Sequence, residues 1–193
     1  MEQRFLLVSG SLRARSTNTA LLRTAARVAP EGVDCRVYDG LARLPAFNPD
    51  DESGPLPAEA ERLRAAIHRA DAVVFSTPEY AGALPGSLKN LLDWTIGDDH
   101  EGSMYGKPVS WLNASPRGAD SAHRELRTVL DYAHARIIDA ACARVPITTA
   151  MIGADGAVED DASRETLAEA MAALRSALGT SRPSLDRESL KGG

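Results

Sequence analysis

Hydroxyl, amide and guanidinium side chains are concentrated in one segment, SGSLRARSTNT, which begins at Ser9 and follows a short apolar run. A helical pattern begins at Thr17, so this segment also lies where free backbone N–H groups and the helix dipole favour an anion. A terminal monophosphate needs such donors, because each of its oxygens accepts several hydrogen bonds. The segment therefore predicts a phosphate site. A helix cap at Ser16 or Asn18 with solvated arginines is the alternative.

This segment contains neither a Walker lysine loop nor a G-x-G-x-x-G motif. Both motifs have a specific mechanical role in holding nucleotide phosphates. Their absence disfavours nucleoside triphosphates and Rossmann-type binding of a dinucleotide.

A second loop, TPEYAGALPG, begins at Thr77 and is richer in proline and glycine than a simple connection requires. Tyr80 offers a flat face and a hydroxyl, while Pro78 and Gly82 allow the backbone to lie close to a planar ring. In the alternative interpretation Tyr80 covers an edge of the core and Glu79 is solvated. A third loop, NASPRGA from Asn113, is a weak signal alone, but it also closes a strand with small residues.

The elements that position these loops follow an alternating pattern. Strands and helices that alternate along the chain form parallel βαβ units, and a doubly wound sheet of five strands most often has the order 2-1-3-4-5. We therefore expect a flavodoxin-like α/β/α fold whose ligand lies at the carboxyl ends of strands 1, 3 and 4. The predicted strands cover residues 5–8, 33–38, 72–76, 109–112 and part of 137–145. The predicted helices begin near residue 17, cover 58–69, follow Pro85, include 126–133 and cover 163–178.

The composition suits one globular domain, with 44% hydrophobic and 25% charged residues among 193. We expect a single domain over residues 1–180 and a flexible tail over 181–193. The net charge is −5 and the basic residues are dispersed, which argues against nucleic acid or an anionic membrane as a partner. No apolar run is long enough to cross a bilayer and no signal sequence is evident, so a cytoplasmic location is the default.

The cysteines and histidines show no pattern of a disulfide or a metal site. Cys35 and Cys142 lie in predicted strands 2 and 5, at opposite edges of the sheet and roughly 19 Å apart, whereas a disulfide needs Cα atoms within about 7 Å. We expect both to be buried thiols. No carboxylate or cysteine stands at ligand spacing from any histidine, and the acidic run DDHE from Asp98 is typical of a solvated loop. The histidines are His68, His100, His123 and His134.

Two separated motifs together resemble the NADPH-dependent FMN reductase family, which includes bacterial chromate, quinone and azo reductases. The first is GSLR from Gly10, followed by Ser16 and Asn18. The second is Pro-Glu-Tyr from Pro78, followed by PG, then LKN from Leu88, and Asp-Trp. The resemblance covers residues 6–133.

The resemblance implies an enzyme that binds FMN and takes electrons from NADPH or NADH in a ping-pong scheme. The acceptor would be a small molecule such as a flavin, a quinone, an azo compound or a chromate-like oxidant. It also implies a homodimer or tetramer that uses the helix region 88–94. We name no catalytic residue, because the flavin carries the chemistry. A flavodoxin-like electron carrier or an FMN-binding regulatory module is the alternative. The cofactor-binding residues that the resemblance implies are Ser11, Arg13, Ser16, Thr17, Asn18, Pro78, Glu79, Tyr80, Ala81, Gly82, Ser115, Arg117 and Gly118.

The chain departs from the family pattern in two loops. Ala81 and Ala83 replace a common Asn and Ser, so a hydrogen bond at the flavin edge is lost or moved to the backbone. Arg117 replaces a common Gly and places a positive side chain near the expected edge of the flavin.

Overall fold

The computed structural model describes residues 2–98, 100 and 102–179, and the tail predicted at 181–193 lies outside them. Strands and α-helices alternate along the described chain. The strands are β1 (Gln3–Ser9), β2 (Val33–Val37), β3 (Ala72–Ser76), β4 (Pro108–Asn113), β5 (Arg136–Ile137) and β6 (Ala143–Arg144). The helices are α1 (Thr17–Arg27), α2 (Ala58–Arg69), α3 (Gly86–Ile96), α4 (Asp120–Tyr132) and α5 (Asp161–Gly179).

The strands form one parallel sheet of order β2-β1-β3-β4-β5, with β6 also paired to β4. Ser9 lies beside Ser76, and Phe75 lies beside Trp111. Strands β1, β3 and β4 therefore end at the same edge of the sheet. The predicted doubly wound, flavodoxin-like order is confirmed.

Successive side chains of the central strands pack against helices on opposite faces, as the two-residue period of a strand requires. Leu6 and Val8 of β1 belong to a core shared with α2, α3 and α4. Phe5 and Leu7 of the same strand belong to a core shared with α1 and α5. The sheet is thus covered on both faces, which explains why its central strands are continuous apolar runs.

The predicted fifth strand is broken into two short pieces, β5 and β6. Pro108 and Val109 of β4 pair with β5, whereas Leu112 and Asn113 pair with β6. Four residues along β4 therefore correspond to seven along its partner. The additional residues form a 3₁₀ turn over Asp139–Ala141.

Cys142 lies directly after this turn and not in a strand, which corrects the expectation from sequence, while Cys35 lies in β2 as predicted. Both thiols are free and only partly buried. Burial raises the pKa of Cys35 to about 12 and that of Cys142 to about 11. Both groups are therefore thiols rather than reactive thiolates at neutral pH.

Asp98 is buried, so this residue does not belong to a solvated loop as the sequence suggested. Its two carboxylate oxygens lie 2.6 Å from His68 Nε2 and 3.0 Å from His100 Nδ1. Burial alone would raise the pKa of Asp98, but these two hydrogen bonds outweigh it and hold the pKa below its ordinary value. Within the described ranges, no group of three or more His, Cys, Asp or Glu side chains could hold a metal ion, and no helix there is long and apolar enough to cross a membrane.

Helix α3 contributes its apolar side chains to the protein's own core. Leu88, Leu91, Leu92 and Trp94 are almost completely buried. The loop before α2 also covers this helix, because Trp94 Nε1 and Asn90 Nδ2 both donate to the Pro45 carbonyl. These apolar side chains therefore pack inside the protein's own core.

Gly10, directly after β1, lies close to Thr77, which follows β3, and to Leu88 of α3. This close packing leads to a stability prediction. A Cβ added at Gly10 would lie 2.6 Å from Thr77 Oγ1 and 2.9 Å from Leu88 Cδ2. We expect Gly10→Ala to lower the free energy of unfolding in urea by about 2 kcal/mol, a typical cost of overpacking. Gly86→Ala is the matched control, because an added Cβ there has no neighbour within 4 Å in the described part of the chain. An unchanged midpoint for Gly10→Ala would contradict this account.

Candidate functional site

Three loops leave the sheet at one edge, after β1, β3 and β4, and enclose an open cleft of about 280 Å³. This edge lies at the carboxyl ends of the strands, beside the switch point between β1 and β3 where doubly wound folds bind ligands. The cleft is lined by Ser11, Arg13, Ser16, Thr17, Asn18, Thr77, Pro78, Glu79, Tyr80, Ser115, Pro116, Arg117 and Ala119.

The loop after β1 is held in place by its own polar side chains. Ser16 is the N-cap of α1, and its Oγ accepts a hydrogen bond from Thr19 N at 3.3 Å. Asn18 is buried, and its Oδ1 accepts from Ser76 Oγ at 2.9 Å. A hydroxyl can donate while it accepts, and the Asn18 amide still has its donating Nδ2. The capping interpretation is therefore correct for Ser16, and it leaves both side chains able to donate to an anion.

Glu79 connects the loop after β3 to the start of α4. Its Oε2 accepts hydrogen bonds from Ser121 N at 3.0 Å and Ala122 N at 3.1 Å. The N-cap residue Ala119 provides no side-chain acceptor, so a carboxylate from another loop caps this helix. Such a carboxylate is stabilised by the positive end of the helix dipole. Glu79 is thus partly buried and held by backbone amides, which corrects the interpretation of a solvated side chain.

A second carboxylate fixes the same loop from the opposite direction. Glu125 of α4 accepts a hydrogen bond from Leu84 N at 2.7 Å through its Oε2. The loop after β3 is therefore attached to α4 at both of its ends. This double attachment holds Pro78 and Tyr80 in position on the wall of the cleft.

The loop after β4 is organised by Asn113, the last residue of that strand. Its Oδ1 accepts from Ser115 N at 2.9 Å, and its Nδ2 donates to the Gly118 carbonyl. Ser115 Oγ in turn accepts from Arg117 N at 3.2 Å. The Arg117 side chain is exposed and lies on the cleft, so its guanidinium can reach a ligand there.

A tight turn forms the tip of the loop after β3. Tyr80 and Ala83 exchange two backbone hydrogen bonds of 3.1 Å, and the two residues between them have positive φ, 51° at Ala81 and 76° at Gly82. This is the backbone of a two-residue hairpin turn, for which Asn-Gly is the preferred sequence. The Asn that is common in the family at position 81 therefore suits the turn conformation.

His123 on α4 is a buried histidine close to this wall. Its Nδ1 donates to the Ala119 carbonyl at 2.8 Å, and its Nε2 is buried without a hydrogen-bond partner among the described residues. Burial lowers the pKa of His123 below its ordinary value. Nearby Trp111 lies beneath the guanidinium of Arg127, 5.1 Å from its ring centroid.

The structure brings most of the predicted site residues together but leaves three of them off the cleft wall. Ala81 and Gly82 form the turn, while Gly118 is buried at a φ of 102° within its own loop. Thr77, Pro116 and Ala119 line the cleft and were missed. The sequence could have indicated these three residues only through their positions directly beside predicted site residues.

The donor chemistry of this cleft fits FMN. The loop after β1 contributes hydroxyls, an amide and the exposed Arg13 guanidinium, which suit a phosphate. The loops after β3 and β4 contribute Pro78, the partly exposed side chain of Tyr80, and Arg117. The absence of a side chain at Gly10 keeps the first loop close against Thr77.

Comparison with known proteins decides the family. The family model described as NADPH-dependent FMN reductase matches residues 3–149, which is most of the chain. The chain belongs to the NADPH-dependent FMN reductase family. The described geometry of the reductase, with three loops around one cleft at the carboxyl edge of the sheet, agrees with this membership.

Several relatives of the reductase are named as reductases of FMN or of quinones. An NAD(P)H-dependent FMN reductase of Pseudomonas aeruginosa is 32% identical over 170 residues, which cover 87% of this chain and 91% of that protein. A quinone reductase of Pseudomonas putida is 31% identical over 160 residues, covering 82% of each chain. A quinone reductase of Escherichia coli K12 is 34% identical over 135 residues, covering 67% of this chain and 70% of that one.

A solved structure is similar to the reductase over nearly its whole length. FerB, a flavoenzyme NAD(P)H:(acceptor) oxidoreductase from Paracoccus denitrificans, superposes with a TM-score of 0.75 and 25% identity, covering 92% of this chain and 97% of that one. The predictions of an oxidoreductase, of FMN as cofactor and of NAD(P)H as donor are confirmed, and an enzyme is favoured over an electron carrier.

The positive φ at Ala81 generates a stability prediction. A side chain in the left-handed region costs roughly 1–2 kcal/mol, and Asn tolerates this conformation better than Ala. We expect Ala81→Asn to raise the free energy of unfolding by about 0.5–1 kcal/mol in a urea titration. Ala83→Asn is the matched control, because Ala83 belongs to the same turn but has no positive φ. A gain for Ala83→Asn alone, or no gain for either, would contradict the turn assignment.

Proposed function

We propose that the reductase holds FMN in the cleft between its three loops and passes electrons from NAD(P)H to a quinone or a free flavin. The observation that carries this proposal is the combination of side chains that line the cleft. The loop after β1 lines the cleft with phosphate-type donors, and the loop after β3 lines it with an aromatic side chain. A phosphorylated molecule with a planar ring is the ligand that such a cleft complements.

At the phosphate end, the proposed ligands are Ser11, Arg13, Ser16, Thr17 and Asn18. Ser16 and Asn18 are buried and held by hydrogen bonds to neighbouring elements, so their donors lie in fixed positions. A preorganised site loses less conformational entropy when its ligand binds. Arg13 is exposed and adds a charge-assisted contact from the solvent side.

At the ring end, Pro78, Tyr80, Ser115 and Arg117 are the proposed contacts. Glu79 contributes by holding this wall against α4, with its carboxylate directed to two backbone amides. When bound, FMN supplies a ring that accepts a hydride and gives up electrons. The residues bind and orient the cofactor and substrates, and none of them is required as an acid or base.

The rim of the cleft leaves room for both substrates to use one face in turn. Ala81, Gly82 and Arg117 are exposed at this rim, and two of the three have little or no side chain. The donor and the acceptor are therefore expected to alternate, which gives parallel lines in double-reciprocal plots. The quinone and flavin acceptors are inferred from relatives that are known as a quinone reductase and an FMN reductase.

A homodimer or tetramer and a cytoplasmic location remain parts of this proposal. The exposed surface of α3 contains the pair Lys89–Asp93, whose charged groups lie 2.5 Å apart, and the apolar side chain of Ile96. Two free cysteines are compatible with a reducing compartment.

Arg13 tests the phosphate end of the cleft. We expect Arg13→Ala to weaken FMN binding about ten- to a hundred-fold, the usual effect of losing a hydrogen bond to a charged group, as measured by flavin fluorescence titration. The affinity for riboflavin should not change, because riboflavin has no phosphate. Arg69→Ala is the matched control, since it removes an exposed arginine from the C-terminal end of α2. Equal weakening of riboflavin and FMN would contradict the phosphate assignment.

Direct reduction tests the proposed reaction. We expect anaerobic NADH or NADPH to bleach the FMN-loaded protein without a partner reductase, and a quinone added afterwards to restore the oxidised spectrum. The physical reason is that the open rim admits a nicotinamide to the ring. If neither nucleotide bleaches the flavin within minutes while a separate flavoprotein reductase does, the protein is a carrier and the proposal is wrong.

A further inference from the structure

Two arginines from different loops line the cleft. Arg13 belongs to the loop after β1 and Arg117 to the loop after β4, and both side chains are exposed. Strands β1 and β4 lie on opposite sides of β3, two strand spacings or about 10 Å apart. Arg13 stands among the donors assigned to the FMN phosphate, so the charge of Arg117 remains available to a second anion.

The charge of Arg117 is not balanced by an ion pair with any carboxylate in the described part of the chain. Three acidic side chains are nearby, and each has another position. Glu79 and Glu125 accept hydrogen bonds from backbone amides, and Asp120 lies in the first turn of α4, with its carboxylate against Gly118. The guanidinium can therefore form an ion pair with an anionic group of a ligand.

The backbone that carries Arg117 is fixed by its neighbours. The N–H of Arg117 donates to Ser115 Oγ at 3.2 Å, and the Pro116 carbonyl accepts from Arg144 Nη2 at 3.1 Å. A side chain on a fixed backbone loses less conformational entropy when a ligand binds than one on a mobile loop. The loop after β4 thus holds its guanidinium at the cleft at a low entropic cost.

Apolar ring surface lies in the same cleft as this charge. Tyr80 is 47% exposed, and Tyr80 and Pro78 line the cleft together with Arg117. The two apolar side chains complement a planar ring, and the planar guanidinium matches the paired oxygens of a carboxylate. A sulfonate presents oxygens of similar geometry. A planar ring that carries one of these anionic groups therefore fits both features.

We propose that Arg117 selects the electron acceptor of the reductase and favours planar quinones that carry a carboxylate or a sulfonate over neutral quinones of the same shape. The inference rests on the proposed function, because the acceptor must enter the cleft that holds the flavin. Arg117 stands where a glycine is common in the family, and glycine has no charge. The selection therefore belongs to this chain rather than to the family as a whole.

Steady-state kinetics of the FMN-loaded enzyme with two matched acceptors test the proposal. The ratio of kcat/KM for a naphthoquinone sulfonate to that for the unsubstituted naphthoquinone should fall about tenfold in Arg117→Gln, as expected for one lost contact to a charged group. Arg117→Lys should retain part of the ratio, because it keeps the charge but not the paired hydrogen bonds. Arg124→Gln, which removes an exposed arginine of α4 that does not line the cleft, is the matched control and should leave the ratio unchanged. An unchanged ratio in Arg117→Gln, or an equal fall in Arg124→Gln, would overturn the proposal.

The other ligands of the cleft provide two further comparisons. In a ping-pong scheme kcat/KM for NADH or NADPH does not depend on the acceptor, so Arg117→Gln should leave both values unchanged. A fall in these values with an unchanged quinone ratio would assign Arg117 to the donor and contradict the proposal. Weaker binding of FMN but not of riboflavin, with an unchanged quinone ratio, would assign Arg117 to the FMN phosphate and also contradict it.

Calorimetry supplies a readout that does not depend on turnover. Naphthalene sulfonate should bind the FMN-loaded protein about tenfold more tightly than naphthalene sulfonamide, a neutral molecule of nearly the same shape, and Arg117→Gln should abolish this difference. Equal affinities in the wild-type protein would overturn the proposal. If neither nucleotide reduces the enzyme, the proposed function fails, whereas this binding comparison still decides the role of Arg117.

Discussion

The parallel register of β1, β3 and β4 is the constraint on which the site depends. Ser9 lies beside Ser76, and Phe75 beside Trp111, so the loops that follow these strands all begin at one level of the sheet. Strand pairing alone thereby brings three loops that are far apart in sequence to one cleft. A one-residue shift in this register would move alternate side chains to the wrong face of the sheet.

Hydrogen bonds between the loops and the helices then give the cleft a fixed shape. Ser16 caps α1, Asn18 accepts from Ser76, and Glu79 caps α4. The structural roles of Ser16 and Asn18 are compatible with the binding roles proposed for them, because a hydroxyl or amide that accepts one hydrogen bond can still donate another. The choice between a cap and a phosphate site, which the sequence left open at Ser16, is therefore not exclusive.

Periodicity and turn chemistry predicted much of the fold, and α2 and β3 have the predicted bounds. The fifth strand was not predicted correctly, because the three-residue insertion at Asp139–Ala141 depends on pairing with β4 and not on local composition. Loop residues with distinctive side chains were correctly predicted to line the cleft. The role of Glu79 was missed, since its partners Ser121 and Ala122 are distant in sequence and are backbone amides that any residue supplies.

Hydrogen exchange measured with and without FMN tests most directly whether the three loops form one cofactor site. Ligand binding suppresses the local opening through which backbone amides exchange. We predict slower exchange in peptides covering residues 10–19, 77–83 and 115–122, and unchanged exchange in peptides covering 33–43, at the far edge of the sheet. Protection confined to one of the three loops, or strongest at 33–43, would contradict the account.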